Sequence, residues 1–258
     1  MINCEIKSQV LHNFSTAAWS YNRWAEAQKK SADRLVALLP QRDYREVLDL
    51  GCGTGALIRS LLRSSPVESL TGIDFAPNMV ELCCGAWPDH RFICADIEHF
   101  EPSATYDLIA SNFTLQWLED IPLTLRKYVS YLRDGGILAV AFPVRGSLAE
   151  IIQAARKANG RLPHLLKFPD PGPFLEAVSG RNVRLLTSRL ENISANFDQP
   201  LSVLKSIKAI GASFTNGSAY NTSEMRKLLK VYGETFSRKI DGYPLTYKVL
   251  FLIVKKEG

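Results

Sequence analysis

The stretch VLDLGCGTG, residues 47–55, decides the fold of this 258-residue chain. Its first four residues are typical of a buried strand, and the glycines that follow let the backbone turn sharply before a helix that begins at Ala56. Such a turn brings a ligand close to the helix N-terminus, because no Cβ atoms stand in the way. The stretch therefore predicts a ligand-binding turn rather than an ordinary connection.

Strand, turn and helix recur along the chain with short connections, which indicates a parallel sheet covered by helices on both faces. We predict strands at residues 47–50, 69–73, 91–94, 106–111, 137–142, 191–197 and 246–255. We predict helices at residues 56–63, 78–86, 123–132, 148–159, 201–210 and 222–236. The expected fold class is α/β: a Rossmann-like, mostly parallel seven-stranded sheet with helices on both faces and an inserted lid.

The chain is expected to form a single domain of four parts. Residues 1–43 are a helical cap, 44–145 the ligand-binding core, 146–188 a lid, and 189–258 the remaining sheet and helices. The lid assignment depends on residues 160–172, where Gly and Pro are dense and the regular pattern fades. We expect substrate specificity to reside there, because a core of this kind does not determine a substrate.

Composition excludes several classes of protein. The net charge of +5 is spread along the chain without a basic block or an aromatic platform, so no nucleic-acid partner is expected. The longest apolar run, residues 249–254, is far shorter than the roughly 20 residues of a membrane helix. The five cysteines and four histidines lack metal-ligand spacing, so we expect no metal and no nucleophilic catalysis. Together with an N-terminus that lacks an apolar leader, the cysteines favour a reducing, cytoplasmic location.

Three carboxylates end or follow predicted strands, and each is placed to bind part of a small molecule. Asp49 lies two residues before the first glycine, where it suits a cationic amino-acid group. Asp74 ends the second strand and Asp96 follows the third, positions that suit ribose hydroxyls and an adenine amino group. The glycine turn also satisfies G-x-G-x-x-A through Ala56, so a nicotinamide-dependent oxidoreductase stays an alternative.

The string DLGCGTG, with acidic residues after the second and third strands, resembles the class I methyltransferase family, which uses S-adenosylmethionine. The resemblance implies the class I fold, with Asp49 and Gly51 near the methionine part of that cofactor and Asp74 on its ribose. It implies that Asp96 and the residue after it flank the adenine, and that Asn112 lies below the sulfonium. The full set of implied cofactor-binding residues is Asp49, Gly51, Gly53, Gly55, Asp74, Phe75, Asp96, Ile97 and Asn112.

Segments outside the core resemble a narrower family, the malonyl-acyl carrier protein O-methyltransferases of biotin synthesis. These segments are residues 12–40, 111–120, 201–212 and 242–257, with PLTY near the C-terminus among the most specific strings. The resemblance implies transfer of a methyl group to the free carboxylate of a malonyl thioester on acyl carrier protein. The resulting ester is the primer for pimelate and biotin synthesis, because it hides the carboxylate charge from the fatty-acid elongation machinery.

This chemistry requires little acid or base catalysis. A malonyl carboxylate, with a pKa near about 4, is already ionised at neutral pH, so we predict no general base. Catalysis is expected from orientation of the carboxylate oxygen towards the methyl group, and from aromatic side chains around the sulfonium. Tyr21 and Trp117 are the candidates for those aromatic walls, whereas Trp19 and Trp24 are more typical of core packing.

Cations are expected to recognise the substrate. Arg145, just past the fifth strand, is predicted to bind the substrate carboxylate during catalysis. Lys205 and Lys208, three residues apart on one helix face, and Tyr243 are predicted to contact the substrate or the carrier protein. Each of these residues has an alternative role as an ordinary surface or packing side chain. The excess of Lys and Arg is compatible with docking of an acidic carrier protein.

Other assignments stay open on sequence alone. A quinone precursor or another small carboxylic acid is an alternative acceptor, because the core motifs would be identical. A coenzyme A thioester in place of the carrier protein, and a cofactor-binding protein without turnover, are further alternatives. The sequence does not determine the oligomeric state.

Overall fold

The computed structural model describes residues 23–161, 167–180, 182–209, 220–237 and 242–258. Within these residues the strands are β1 (Tyr44–Leu50), β2 (Val67–Asp74), β3 (Arg91–Cys94), β4 (Tyr106–Asn112), β5 (Leu132–Pro143), β6 (Val183–Phe197) and β7 (Tyr243–Lys256). The helices are α1 (Glu26–Ala37), α2 (Ala56–Ser64), α3 (Pro77–Ala86), α4 (Ile121–Ser130), α5 (Ala149–Asn159), α6 (Gly172–Ala177), α7 (Pro200–Ala209) and α8 (Thr222–Phe236). A short 3₁₀ turn, Leu115–Trp117, follows β4.

The strands of the described residues form one seven-stranded sheet in the order β3-β2-β1-β4-β5-β7-β6. Strands β1 to β5 are parallel, whereas β7 runs antiparallel to both β5 and β6. The strand order changes direction between β1 and β4, and open α/β sheets bind ligands beyond the carboxyl ends of their strands at such a point. The predicted Rossmann-like, mostly parallel sheet is confirmed.

Helices pack on both faces of the sheet, as predicted. On one face α1, α2 and α7 bury Leu35, Ile58 and Ile207 against the sheet, together with α5 and α8. On the other face α4 and α6 bury Tyr128 and Phe174. Removal of this apolar surface from water stabilises the strands whose ends carry the site. Among the residues that the structure describes, no helix is long and apolar enough to cross a membrane.

The structure corrects several predicted boundaries and adds one helix. Strand β6 begins at Val183, where the sequence predicted a start at residue 191, so residues 183–188 of the expected lid belong to the sheet. The first half of this edge strand is largely exposed, and its sequence therefore lacks the alternation that marks a half-buried strand. Helix α4 ends at Ser130, and Leu132, predicted as its last residue, begins β5. Helix α6 was not predicted.

Helix α1 is the described helix of the expected N-terminal cap, and it is tied to the edge strand β6. The guanidinium of Arg34 donates to both carboxylate oxygens of Glu191, at 2.8 Å from Nε and 2.7 Å from Nη2. Lys30 Nζ donates to the carbonyl oxygen of Ser194 at 2.9 Å. These contacts hold the start of α1 near the carboxyl ends of the strands.

Candidate functional site

The glycine turn after β1 has the conformation that its sequence predicts. Gly51 has φ +76°, and a Cβ atom there would lie 2.2 Å from side-chain atoms of Thr114. Gly53 has φ +51° and faces open space, and its N–H donates to Asp74 Oδ2 at 2.9 Å. The backbone N–H of Gly51 also donates to the carbonyl oxygen of Ile73, at 2.7 Å. The turn is therefore fixed by β2 on one side and by the residues after β4 on the other.

A cavity that is open to solvent lies beside this turn, beyond the ends of β1, β2, β3 and β4. Eight of the nine predicted cofactor residues line it, and so does Trp117. The exception is Gly55, which instead allows close packing of a tryptophan, since a Cβ atom there would lie 2.2 Å from the ring of Trp87. The lining residues are Gln28, Asp49, Gly51, Cys52, Gly53, Thr54, Ala56, Leu57, Asp74, Phe75, Met79, Ala95, Asp96, Ile97, Asn112, Phe113, Thr114, Trp117 and Leu118.

Asp49 is a buried carboxylate in the cavity wall. Its side chain is 2% exposed, and neither carboxylate oxygen has a hydrogen-bond partner among the described residues. Burial, reinforced by the nearby charge of Asp74, raises the pKa of Asp49 to about 8. A buried carboxylate without partners costs free energy, and a cationic ligand group removes that cost. Asp49 is therefore suited to binding an ammonium group.

Asp74 connects the glycine turn to the start of α3. Its Oδ2 accepts from the N–H of Gly53 and its Oδ1 from the N–H of Ala76, both at 2.9 Å. Burial raises the pKa of Asp74 to about 6, and these two hydrogen bonds oppose that effect. Because a carboxylate oxygen can accept more than one hydrogen bond, Asp74 can still accept from ligand hydroxyls.

Asp96 and Ile97 form the cavity wall that follows β3. Asp96 Oδ1 accepts from the N–H of Glu98 at 2.9 Å, so this carboxylate also caps the turn that it begins. The carbonyl oxygen of Ile97 accepts from the hydroxyl of Tyr128 at 2.8 Å. Tyr128, which the sequence did not single out, therefore fixes this wall from the helix behind it.

The turn after β4 connects three parts of the site. Asn112 Nδ2 donates to the carbonyl oxygen of Gln28 in α1 at 3.0 Å, and Thr114 Oγ1 donates to the carbonyl oxygen of Gly51 at 3.1 Å. Phe113, between them, contributes its ring to the hydrophobic core and also lines the cavity. Sequence reasoning identified Asn112 and missed Gln28, Phe113 and Thr114. Phe113 and Thr114 belong to the SNFTLQW string that follows a strand end, and this position could have indicated them.

The cavity favours a cationic ligand. Asp49, Asp74 and Asp96 are its charged lining residues, and no Lys or Arg of the described chain joins them. An anionic pyrophosphate would face these three carboxylates with backbone N–H groups at the start of α2, and no cationic side chain of the described lining, to compensate it, so the cavity suits a cationic ligand better than a dinucleotide. No three His, Cys, Asp or Glu residues of the described ranges are grouped to hold a metal ion.

The structure places the predicted substrate residues outside this cavity. The side chain of Arg145 is 74% exposed and pairs with Asp170. Lys205 and Lys208 are exposed on α7, and Tyr243 is half-buried at the start of β7. Tyr21 lies outside the described residues. Of the predicted catalytic residues, the structure thus brings only Trp117 to the cavity, within the part of the chain that it describes.

Comparison with known proteins gives matches over nearly the whole chain. Residues 47–136 match the family described as methyltransferase domain. Malonyl-[acyl-carrier protein] O-methyltransferase of Acetivibrio thermocellus is 30% identical, over 95% of this chain and 92% of that protein. The protein of the same name from Enterobacter lignolyticus is also 30% identical, over 97% of this chain and 98% of its own length.

Solved structures share the fold at low sequence identity. The YcgJ protein from Bacillus subtilis superposes with a TM-score of 0.60 at 13% identity, covering 89% of this chain and 99% of that one. The plantazolicin methyltransferase BpumL, solved with S-adenosylhomocysteine (SAH), gives a TM-score of 0.54 at 16% identity and covers 100% of both chains. These likenesses support the fold assignment made from the sheet order.

Proposed function

The chain belongs to the malonyl-[acyl-carrier protein] O-methyltransferase family, and from this membership we propose that it methylates the free carboxylate of a malonyl thioester on acyl carrier protein. The observation that carries the proposal is the 30% identity to proteins of that name over nearly the full length of both chains. The product is then the malonyl methyl ester that primes pimelate and biotin synthesis. The cation-favouring cavity supports the same function.

The residues present fit S-adenosylmethionine, which supplies an electrophilic methyl group on a sulfonium when bound. Asp49, buried without partners, would hold the ammonium of the methionine part. Asp74 would accept from the ribose hydroxyls, and Asp96 with Ile97 would flank the adenine. A Cβ atom on Gly53 would have no neighbour within 4 Å, so this glycine borders open space that the cofactor can occupy.

The proposed catalysis depends on position and environment rather than on proton transfer. The acceptor carboxylate is ionised at neutral pH, so no side chain is needed to remove a proton. Asn112 and Trp117 lie in the wall that follows β4, where they would face the reacting groups. Trp117 is 9% exposed, and its ring, together with that of Tyr21, would exclude water from a reaction in which opposite charges neutralise each other.

The proposed carrier contacts lie on the surface. The exposed amino groups of Lys205 and Lys208 on α7 would contact the acidic carrier or the phosphate of its prosthetic arm. Tyr243 would lie where the arm enters the site. Of the expected lid, residues 146–182 would act as the lid, because β6 begins at Val183. A cytoplasmic location is supported by cysteines that are free wherever the structure describes them.

Arg145→Ala is expected to raise KM for the malonyl carrier at least about tenfold and to leave SAH affinity nearly unchanged, because a bidentate carboxylate contact is lost. Arg145 pairs with Asp170 in this structure, so the proposed contact requires that ion pair to exchange for the substrate carboxylate. Steady-state kinetics and calorimetric titration with SAH measure the two effects. Arg184→Ala is the matched control, since that exposed arginine pairs with Glu257. Equal losses of turnover and SAH binding would rule out the carboxylate contact.

SAH affinity is expected to increase as the pH is raised from about 6 to about 8, the two values to which burial raises the pKa of Asp74 and of Asp49. Below its pKa the carboxyl of Asp49 is protonated in the ligand-free protein, and binding of an ammonium requires its ionised form. The affinity therefore rises by up to about tenfold per pH unit in this interval. Calorimetry at a series of pH values tests this, with Asp49→Asn as the control that removes the titration. An affinity that is constant or falls with pH contradicts the assignment.

A panel of acceptors tests the proposed function itself. Release of SAH is measured with malonyl carrier protein, acetyl carrier protein, malonyl coenzyme A and small carboxylic acids. Turnover confined to malonyl thioesters supports the proposal, and the ratio of the two malonyl substrates shows which carrier is preferred. Turnover with a small free acid alone would contradict it, and binding of NADH in place of SAH would indicate an oxidoreductase.

A further inference from the structure

The start of β7 carries the PLTY string, residues 244–247, to which the proposed chemistry assigns no role. Its last residue, Tyr247, is 2% exposed. The Tyr247 ring packs edge-on against Phe113, with 5.4 Å between centroids and an interplanar angle of 73°. It also packs edge-on against Phe168, at 6.5 Å and 89°. Tyr247 thus lies between the cavity wall and the stretch expected to form the lid.

Phe113 has an unusual backbone conformation for its position in that wall. Its φ is +56°, a value that residues with a side chain seldom adopt. Such a conformation persists only where surrounding contacts determine it, and it occurs most often at functional sites. Phe113 separates Asn112 from Thr114, whose side chains bind α1 and the glycine turn. The conformation of Phe113 therefore sets the directions of both neighbours.

Three contacts hold Phe113 in this conformation. Its N–H donates to the carbonyl oxygen of Ala141 at 2.8 Å, and its carbonyl oxygen accepts from Gln116 Nε2 at 2.7 Å. The third contact is the ring of Tyr247. The first two act on the backbone, whereas the third fixes the aromatic side chain and comes from a distant part of the chain.

The start of β7 also fixes a second strained residue. Among the described residues, Leu148 is the other non-glycine residue with a positive φ, at +60°. Its N–H donates to the carbonyl oxygen of Thr246 at 2.7 Å. Next to it, the N–H of Lys248 donates to Ser147 Oγ at 3.0 Å. Residues 246–248 therefore hold strained segments at the ends of both β4 and β5.

We propose that Tyr247 is a positioning residue for methyl transfer: its ring holds Phe113 in the cavity wall and connects that wall to Phe168. This inference rests on the proposed function for its effect on turnover. The effect falls on the acceptor side of the site, because β7 is two strands from β4 and three strands from β1, whose end carries Asp49. The carboxylates of Asp49, Asp74 and Asp96, which would bind the cofactor at β1, β2 and β3, are consequently remote from Tyr247.

Tyr247→Leu is expected to lower kcat by between about tenfold and a hundredfold, since a small displacement of the wall misaligns the reacting groups. Its SAH affinity is expected to fall less than kcat does, because the three cavity carboxylates are remote from Tyr247, although Thr114 connects the turn after β4 to Gly51. Tyr247→Phe retains the ring and is expected to retain kcat within about threefold. A loss in Tyr247→Phe as large as that in Tyr247→Leu would overturn the positioning role, since it would place the function in the hydroxyl group.

Phe142→Leu is the matched control, since Phe142 lies in β5, outside both the cavity lining and the stretch expected to form the lid. Phe142 packs edge-on against Phe174 at 5.0 Å and 75°, on the opposite face of the sheet. Its replacement removes a buried aromatic pair of nearly the same geometry, so a similar fall in the thermal midpoint is expected with kcat unchanged. An equal fall of kcat in both leucine variants would show that general destabilisation explains the loss, and would overturn the proposal.

Amide hydrogen exchange tests the positioning role without any substrate. Tyr247→Leu is expected to speed exchange at residues 113–117 at least about tenfold over the wild type, because local opening of the turn becomes easier. Tyr247→Phe and Phe142→Leu are expected to leave that exchange unchanged. Unaltered exchange in Tyr247→Leu would overturn the inference, whichever acceptor the wild type methylates. Failure of the wild type to methylate malonyl carrier would instead overturn the proposed function alone.

Discussion

Asp74→Ala is expected to weaken SAH binding by at least about a hundredfold, because charge-assisted hydrogen bonds to the ligand and the anchor of the glycine turn are lost together. Asp74 accepts from the N–H groups of Gly53 and Ala76, so its removal leaves two backbone donors without their partner. Titration calorimetry with SAH gives the affinity directly. Asp74→Asn is expected to have a smaller effect, since the amide oxygen can still accept from one of the two donors.

Asp107→Ala is the control for Asp74→Ala. Asp107 Oδ2 accepts from the N–H groups of Arg45 and Glu46, at 3.1 Å and 2.9 Å, near the starts of β4 and β1. Its replacement removes the same kind of contact at the opposite end of the sheet. Stability is expected to fall with SAH affinity unchanged. Normal SAH affinity in Asp74→Ala would remove Asp74 from the cofactor site.

Gly51→Ala is expected to lower SAH affinity at least about tenfold and to destabilise the fold by about 1–3 kcal/mol, because the residue is strained and crowded. Its φ is +76°, and the added Cβ atom would lie 2.2 Å from Thr114. The turn after β1 or the turn after β4 must then shift, and both line the cavity. Thermal unfolding and calorimetric titration measure the two effects.

Gly85→Ala separates this effect from a general effect of replacing glycine. Gly85 lies in α3, and a Cβ atom there would have no neighbour within 4 Å. The variant is expected to be more stable by roughly 0.5–1 kcal/mol, with unchanged SAH affinity, because alanine favours a helix. Unchanged affinity in Gly51→Ala would show that the glycine turn does not form the ligand site.

The part of the cavity that we assign to the cofactor could be located from the sequence, because local patterns determine which residues line it. In a parallel sheet, residues that end or follow adjacent strands meet at one edge, so Asp49, Asp74 and Asp96 could be placed together without coordinates. The glycine turn can be recognised from sequence because its positive φ angles favour glycine at neighbouring positions. These features depend on short-range geometry, and the cavity lining agrees with them.

The part that we assign to the acceptor could not be located to the same extent, because contacts between distant segments determine its lining. Gln28 reaches the cavity through packing of α1, and no local pattern marks it. The ring of Phe113, whose φ is positive, packs against Tyr247, more than a hundred residues later in the sequence. Arg145 follows a strand end, as expected of a site residue, but its side chain is exposed and forms an ion pair with Asp170.

Mass spectrometry of acyl carrier protein after incubation with the enzyme and S-adenosylmethionine tests the central claim most directly. The account predicts the mass gain of one methyl group on malonyl carrier protein, removed by mild ester hydrolysis, and no gain on acetyl carrier protein. A protein that binds SAH but leaves the mass of malonyl carrier protein unchanged would contradict the proposed acceptor. A gain on both carriers would contradict methylation of the free carboxylate.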